Sequence, residues 1–123
     1  DECGVVVPRA NIVPFVERVE QLSRELDIRI PYFGHAGDGN LHIYLCRDGL
    51  SKDAFEQKLG QGFAALYEKA AELGGMVSGE HGIGWAKRDY LEDRLGSVQV
   101  ALMARVKAAF DPNGILNPHK VCT

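Results

Sequence analysis

Ile28-Arg29-Ile30-Pro31-Tyr32-Phe33, then Gly34-His35-Ala36-Gly37-Asp38-Gly39-Asn40, then Leu41-His42-Ile43-Tyr44-Leu45: this run decides the fold. Its first part is apolar and β-prone. Its middle is rich in glycine and small polar residues, the composition of a tight turn. Its last part alternates, with Leu41, Ile43 and Leu45 on one face and His42 and Tyr44 on the other. Together these features predict a β-hairpin in which residues 28–35 pair with residues 41–46.

Working outward, Val5-Val6-Val7 closed by Pro8 reads as a strand. Ile12, Phe15, Val16, Val19, Leu22 and Leu26 recur at three- and four-residue steps, so residues 11–26 form an amphipathic helix. Pro14 falls in its first turn, where a missing N–H costs little. Downstream, Ser51 is an N-cap for a second long helix with Phe55, Leu59, Phe63, Leu66, Ala70 and Leu73 as its stripe. Gly60 and Gly62 weaken that helix by up to about 1 kcal/mol each relative to Ala. Gly74-Gly75 ends it, and Met76-Val77-Ser78 reads as a short strand. Helices over 84–95 and 97–110 follow, stopped by Asp111-Pro112-Asn113-Gly114, and an irregular tail runs to Thr123. The order β-α-β-β-α-β with two further helices is an α+β, ferredoxin-like split β-α-β plan: an antiparallel sheet of about four strands with two helices on one face.

The 123 residues suffice for one domain, and 46% hydrophobic content is ordinary for a globular chain. Fourteen basic against 17 acidic residues, a net charge of -3, give no basic excess of the kind nucleic-acid binding needs. No apolar run approaches the ~20 residues of a membrane span, and no basic-then-apolar leader is present. The opening Asp1-Glu2-Cys3 in place of Met suggests an excised piece of a longer chain. Cys3, Cys46 and Cys122 lie outside any C-x-x-C spacing, which predicts free thiols in a reducing, cytoplasmic setting and argues against a sulfur-bound zinc.

The chemistry lies with histidines set in glycine-rich segments. His35 and His42 flank the hairpin turn and come out near each other at its closed end. Neutral imidazoles at that spacing suit a divalent transition metal. In Ser78-Gly79-Glu80-His81-Gly82-Ile83-Gly84 a carboxylate and an imidazole stand side by side. They share one site only if the backbone bends there, which the glycines permit. The resulting expectation is a metal held by His35, His42 and Glu80, with His81 left as a base. Read blandly, each histidine is a polar loop residue and Gly37-Asp38-Gly39-Asn40 an ordinary turn. That turn leads into a strand rather than a helix, so it is not a phosphate cradle, and it lacks the ligand spacing of a calcium loop.

At these same residues the chain resembles a known family. Gly34-His35-Ala36-Gly37-Asp38-Gly39-Asn40-Leu41-His42, Ser78-Gly79-Glu80-His81-Gly82-Ile83-Gly84 and the closing Asp111-Pro112-Asn113-Gly114-Ile115-Leu116-Asn117-Pro118-His119-Lys120 are similar to motifs in the C-terminal domain of FAD-linked 2-hydroxyacid dehydrogenases. That group contains the glycolate oxidase FAD subunit, D-lactate dehydrogenases and D-2-hydroxyglutarate dehydrogenase. The resemblance implies that residues 1–123 are the C-terminal portion of a cap, or substrate, domain, with the N-terminal FAD-binding domain of the same protein absent from this chain and the fragment alone inactive. It implies metal ligation by His35, His42 and Glu80, a donor set that suits zinc, manganese or iron. His81 would remove the substrate hydroxyl proton, Asn117 would lie where the tail approaches the FAD, and an electron-acceptor subunit is a possible partner.

Two positions depart from the hydroxyglutarate-type members. Glu2 stands near their basic substrate contact, and Tyr44 where they carry Asn. Both departures disfavour a dicarboxylic substrate and favour a short D-2-hydroxy acid, glycolate or D-lactate, oxidised to the 2-oxo acid. The alternative from another class is a non-catalytic metal-binding ferredoxin-like module. A metal-dependent hydrolase is a further rival, against which the Asn117-Pro118-His119-Lys120 tail counts.

Overall fold

The hairpin forms, and its central strand organises everything around it. The computed structural model describes residues 1–122 and contains β1 (Glu2–Val6), α1 (Ile12–Leu26), β2 (Tyr32–His35), β3 (Asn40–Tyr44), α2 (Lys52–Glu72), α3 (Arg88–Leu95) and α4 (Ser97–Phe110). The chain divides into two compact units, the first from Asp1 to His81 and the second beginning at Gly82. The fold is α+β, with an antiparallel sheet of order β1-β3-β2.

Pairing beyond β2 follows the expected register. The Tyr44 amide donates to the Pro31 carbonyl at 2.9 Å and the Cys46 amide to Arg29 at 3.0 Å. Pro31 interrupts the regular ladder because it has no N–H to give, so the strand proper starts later than residue 28. Ile28 and Ile30 are nevertheless buried.

The fourth strand is reduced to a single antiparallel bridge between Val6 and Met76, with both amides donating, at 2.8 and 3.1 Å. It sits on the outer side of β1, where the ferredoxin-like order places strand four. Beyond Met76 the backbone bends through residues 77–81 instead of continuing as a strand. That departure from the sheet line lifts Glu80 off the edge.

Strand parity separates the two faces of the sheet. Cys3, Val5, Leu41 and Ile43 point one way and are all buried. Phe15, Val19 and Leu22 of α1 and Leu66, Tyr67 and Ala70 of α2 complete this core, with α1 packed on α2 and α2 on β1. Ser51 caps α2 as expected, its hydroxyl accepting from the Ala54 amide. The helix runs unbroken through Gly60 and Gly62. A Cβ at Gly62 would stand 2.3 Å from Leu45 Cδ2, so the glycine is there to let the strand side chain approach.

Gly39 closes the hairpin turn with φ +71, and its carbonyl accepts from the Val7 amide at 2.9 Å. A Cβ there would fall 1.9 Å from the Val7 carbonyl oxygen. Gly39→Ala therefore meets both a left-handed backbone and a backbone clash, and should destabilise the protein by at least about 1–3 kcal/mol. A fall of several degrees in melting temperature checks this.

In the second unit the helix expected over residues 84–95 is shorter, because residues 84–87 form turns and regular α-helix begins at Arg88. Asp111 does more than end α4. Its carboxylate accepts from the Ile115 and Leu116 amides at 3.0 Å each and from Lys107 Nζ at 2.6 Å. The Lys107 ammonium, with these amides, holds the Asp111 carboxyl below the ordinary carboxylate value of 3.8. A depressed folded value means its contribution is complete above the unfolded pKa and is lost as pH falls through the folded one. Asp111→Asn should therefore lower the melting temperature at neutral pH, and the gap to the unsubstituted protein should close as pH drops below about 4.

Candidate metal centre and proton acceptor

The sheet face opposite the helical core carries the site. Register pairs Glu2 with Tyr44, Gly4 with His42, Phe33 with His42 and His35 with Asn40, so Glu2, Phe33, His35, Asn40, His42 and Tyr44 all share it. Gly4 contributes no side chain across from His42, leaving room for the imidazole. The bent segment after Met76 brings Glu80 and His81 over this face. As a result His42 and Asn40 are buried although they point away from the helices.

Glu80 Oε1 is the meeting point. His42 Nε2 lies 2.9 Å from it, His35 Nδ1 3.6 Å, and Asn40 Nδ2 donates to it at 2.9 Å. A cation bonded at about 2.0–2.2 Å to each of several donors holds those donors within roughly 4 Å of one another, and these separations fit that span. The three expected ligands therefore converge, at the closed end of the hairpin. Burial works to raise the Glu80 carboxyl. The Asn40 hydrogen bond, the His42 contact and the nearness of His35 and His42 outweigh it, keeping the group below the usual carboxylate range.

His81 joins the same cluster. Its ring centroid is 4.6 Å from that of His42, its Nδ1 is 2.9 Å from Glu2 Oε1, and its Nε2 is 3.9 Å from Glu80 Oε1. Glu80 and His81 thus reach one site through the bend their glycines allow. Phe33 and Tyr44 stack with centroids 5.5 Å apart beside the imidazoles. Burial, with the nearby Glu2 charge and a hydrogen bond to it, raises the Tyr44 phenol and keeps it protonated.

Two residues of the cluster had no role assigned from the sequence. Asn40 Nδ2 contacts all three expected ligands, at 2.9 Å to Glu80, 3.4 Å to His42 and 3.5 Å to His35. A Cβ on Gly79 would stand 2.1 Å from Asn40 Oδ1, so Gly79 makes space for this amide. The signal was present, since Asn40 and His42 are two apart on a strand and must share a face. Glu2 registered only as a departure from a related pattern, yet it contacts both His42 and His81.

Asn117 belongs to the second unit, exposed and with φ 46. A flavin pyrophosphate is commonly seated where a glycine turn opens a helix. The glycine turn at residues 36–39 instead joins two strands, so it offers no such seat.

Two imidazoles and a carboxylate converging on one point, with a third imidazole alongside, define a class of site in which a bound cation and a base can act on one small polar substrate. Comparison with known families places residues 2–121 in "FAD linked oxidases, C-terminal domain", and the chain belongs to that family. It is 51% identical over 122 residues to a D-lactate dehydrogenase of Anaerostipes hadrus, covering 99% of this chain and 26% of that protein. It is 47% identical over 115 residues to glycolate oxidase subunit GlcD of Bacillus subtilis, covering 94% and 24%. Against a D-2-hydroxyglutarate dehydrogenase of Stutzerimonas stutzeri the figure is 44% over 120 residues, covering 95% and 26%. The chain thus spans about a quarter of the length of these relatives. No helix among the described residues is long and apolar enough to cross a membrane.

Proposed function

We propose that this chain is the C-terminal portion of the cap domain of a flavin-dependent oxidoreductase that converts a short D-2-hydroxy acid, glycolate or D-lactate, into the 2-oxo acid. The observation that carries the reading is the convergence of the His35, His42 and Glu80 donor atoms with His81 beside them. Family membership supports the flavin, and the two relatives most like it in sequence among those named are a D-lactate dehydrogenase and a glycolate oxidase subunit.

In this reading His35, His42 and Glu80 hold a divalent cation. An N₂O donor set suits zinc, manganese or iron. Bound cation supplies Lewis acidity toward the substrate α-hydroxyl, and FAD, held by the remainder of the polypeptide, supplies the hydride acceptor. Asn40 orients Glu80. His81 takes the hydroxyl proton as general base while the C2 hydrogen leaves as hydride, so the two electrons and the proton are both accounted for. Turnover would then require an electron-accepting partner to take up the two electrons.

Glu2 and Tyr44 on the site face favour a monocarboxylic substrate, because a second substrate carboxylate would approach an acidic side chain. In the second unit Val98, Leu102, Val106, Phe110, Ile115 and Leu116 are exposed, an apolar surface in keeping with packing against the rest of the polypeptide. The three cysteines are free, in keeping with a reducing cytoplasmic setting. Steady-state assays of the intact protein test the substrate: kcat/KM for glycolate or D-lactate should exceed that for D-2-hydroxyglutarate. A preference for the dicarboxylate would overturn the assignment.

A further inference from the structure

Glu2 stands at the start of β1, on the site face, with one carboxylate oxygen shared between two rings. Oε1 lies 2.8 Å from His42 Nδ1 and 2.9 Å from His81 Nδ1. We propose that Glu2 is a positioning residue that fixes, through this single oxygen, the tautomer and orientation of the metal-ligating His42 and holds the proton-accepting His81 beside it. The inference rests on the function proposed above and adds a residue to it.

An ionised carboxylate can only accept hydrogen bonds. His42 Nδ1, hydrogen-bonded to Glu2, must then carry its hydrogen toward that oxygen, and its neutral ring is left with the lone pair on Nε2. For His42 that lone pair faces Glu80 Oε1, 2.9 Å away, where the cation would sit. His81 Nε2 lies on the same side, 3.9 Å from Glu80 Oε1. The rings lie 4.6 Å apart at an interplanar angle of 32°, side by side on a common acceptor. A carboxylate behind a ligating imidazole is a general device for fixing its tautomer and raising its basicity. Here the carboxylate does this for the ligand, and the same oxygen also stands against the base. Glu2 is also fixed in place by the β1–β3 ladder, opposite Tyr44.

Glu2, His42 and His81 also lie close enough to bind a cation themselves. The two donor sets share His42, and a neutral imidazole has one lone pair to give, so they are alternatives. Positioning and ligation by Glu2 therefore predict different results.

The test uses the intact enzyme with Glu2→Gln, which keeps an acceptor oxygen of similar reach, and Glu2→Leu, which removes it, alongside Glu80→Gln. Zinc affinity is measured by titrating metal-depleted protein, and kcat and KM are measured at saturating metal. Glu2→Leu should still bind one zinc per chain, but roughly 10- to 100-fold more weakly. Its kcat should fall about tenfold or more with KM changed less than about threefold. Glu2→Gln should recover part of both losses, and carries the test alone should Glu2→Leu fail to fold.

Unchanged affinity and kcat in both variants would overturn the proposal. So would loss of zinc stoichiometry in Glu2→Gln equal to that in Glu80→Gln, which would make Glu2 a ligand. Retention of zinc by Glu80→Gln is a separate result: it would sink the metal assignment itself.

Discussion

Replacing His81 with alanine in the intact enzyme should lower turnover by at least roughly 10²-fold while the metal stays bound, in line with the usual contribution of a general base. The expectation follows from where the ring stands. His81 comes from the bent segment after Met76, half-exposed, with Nδ1 on Glu2 and Nε2 only 3.9 Å from the Glu80 oxygen on which the expected ligands converge. It is close enough to that point to take a proton from a substrate bound there, yet it belongs to neither the hairpin nor the His35–His42–Glu80 set. Removing it should therefore spare metal content and substrate binding and act on kcat. Unaltered turnover in His81→Ala would assign the proton to another group.

His42→Ala should have the complementary result: loss of the metal, read by elemental analysis of the purified, dialysed protein. His42 is the most enclosed of the expected ligands, its side chain 7% exposed against 62% for His35 and 47% for Glu80. Its ring is held from both sides, by Glu2 at Nδ1 and Glu80 at Nε2. An alanine leaves neither a donor atom nor a ring that can swing into its place. His35→Ala, at an exposed position, should weaken binding less. Activity should fall with metal content in both variants, in contrast to His81→Ala.

The pair of variants separates two functions that the fold places side by side, the two rings 4.6 Å apart. How much of this arrangement was legible beforehand depends on how local each cause is. Strand parity fixed His42 opposite to Leu41 and Ile43, and the glycine turn fixed its nearness to His35, because both follow from period-two geometry within a few residues. The amphipathic α1 and the Ser51 cap of α2 were legible for the same reason.

The fourth strand was not. Whether Met76-Val77-Ser78 continues as a strand or bends away after one bridge depends on Val6, seventy residues earlier, and on the space that Gly79 leaves for Asn40. Gly62 pointed the wrong way for a related reason. Propensity counts a mid-helix glycine as weakness, whereas here the absent Cβ accommodates Leu45. Glu2 escaped for the same cause: its role rests on contacts with His42 and His81, 40 and 79 residues along the chain, and no local pattern connects them. Glu80 and His81 were expected at the hairpin from their glycine-flanked setting, and the resemblance to FAD-linked enzymes implied the same roles. The register and the bend supply the physical reason they can meet.

The central claim is that His35, His42 and Glu80 hold one cation on the sheet face opposite α1 and α2. Anomalous scattering from crystals of the intact protein grown with zinc or manganese tests it most directly. One peak per chain is expected, within about 2.0–2.2 Å of His42 Nε2 and of the nearest Glu80 oxygen and His35 nitrogen. A peak seated instead among Glu2, His42 and His81, or crystals at saturating metal with no peak on this face, would contradict it.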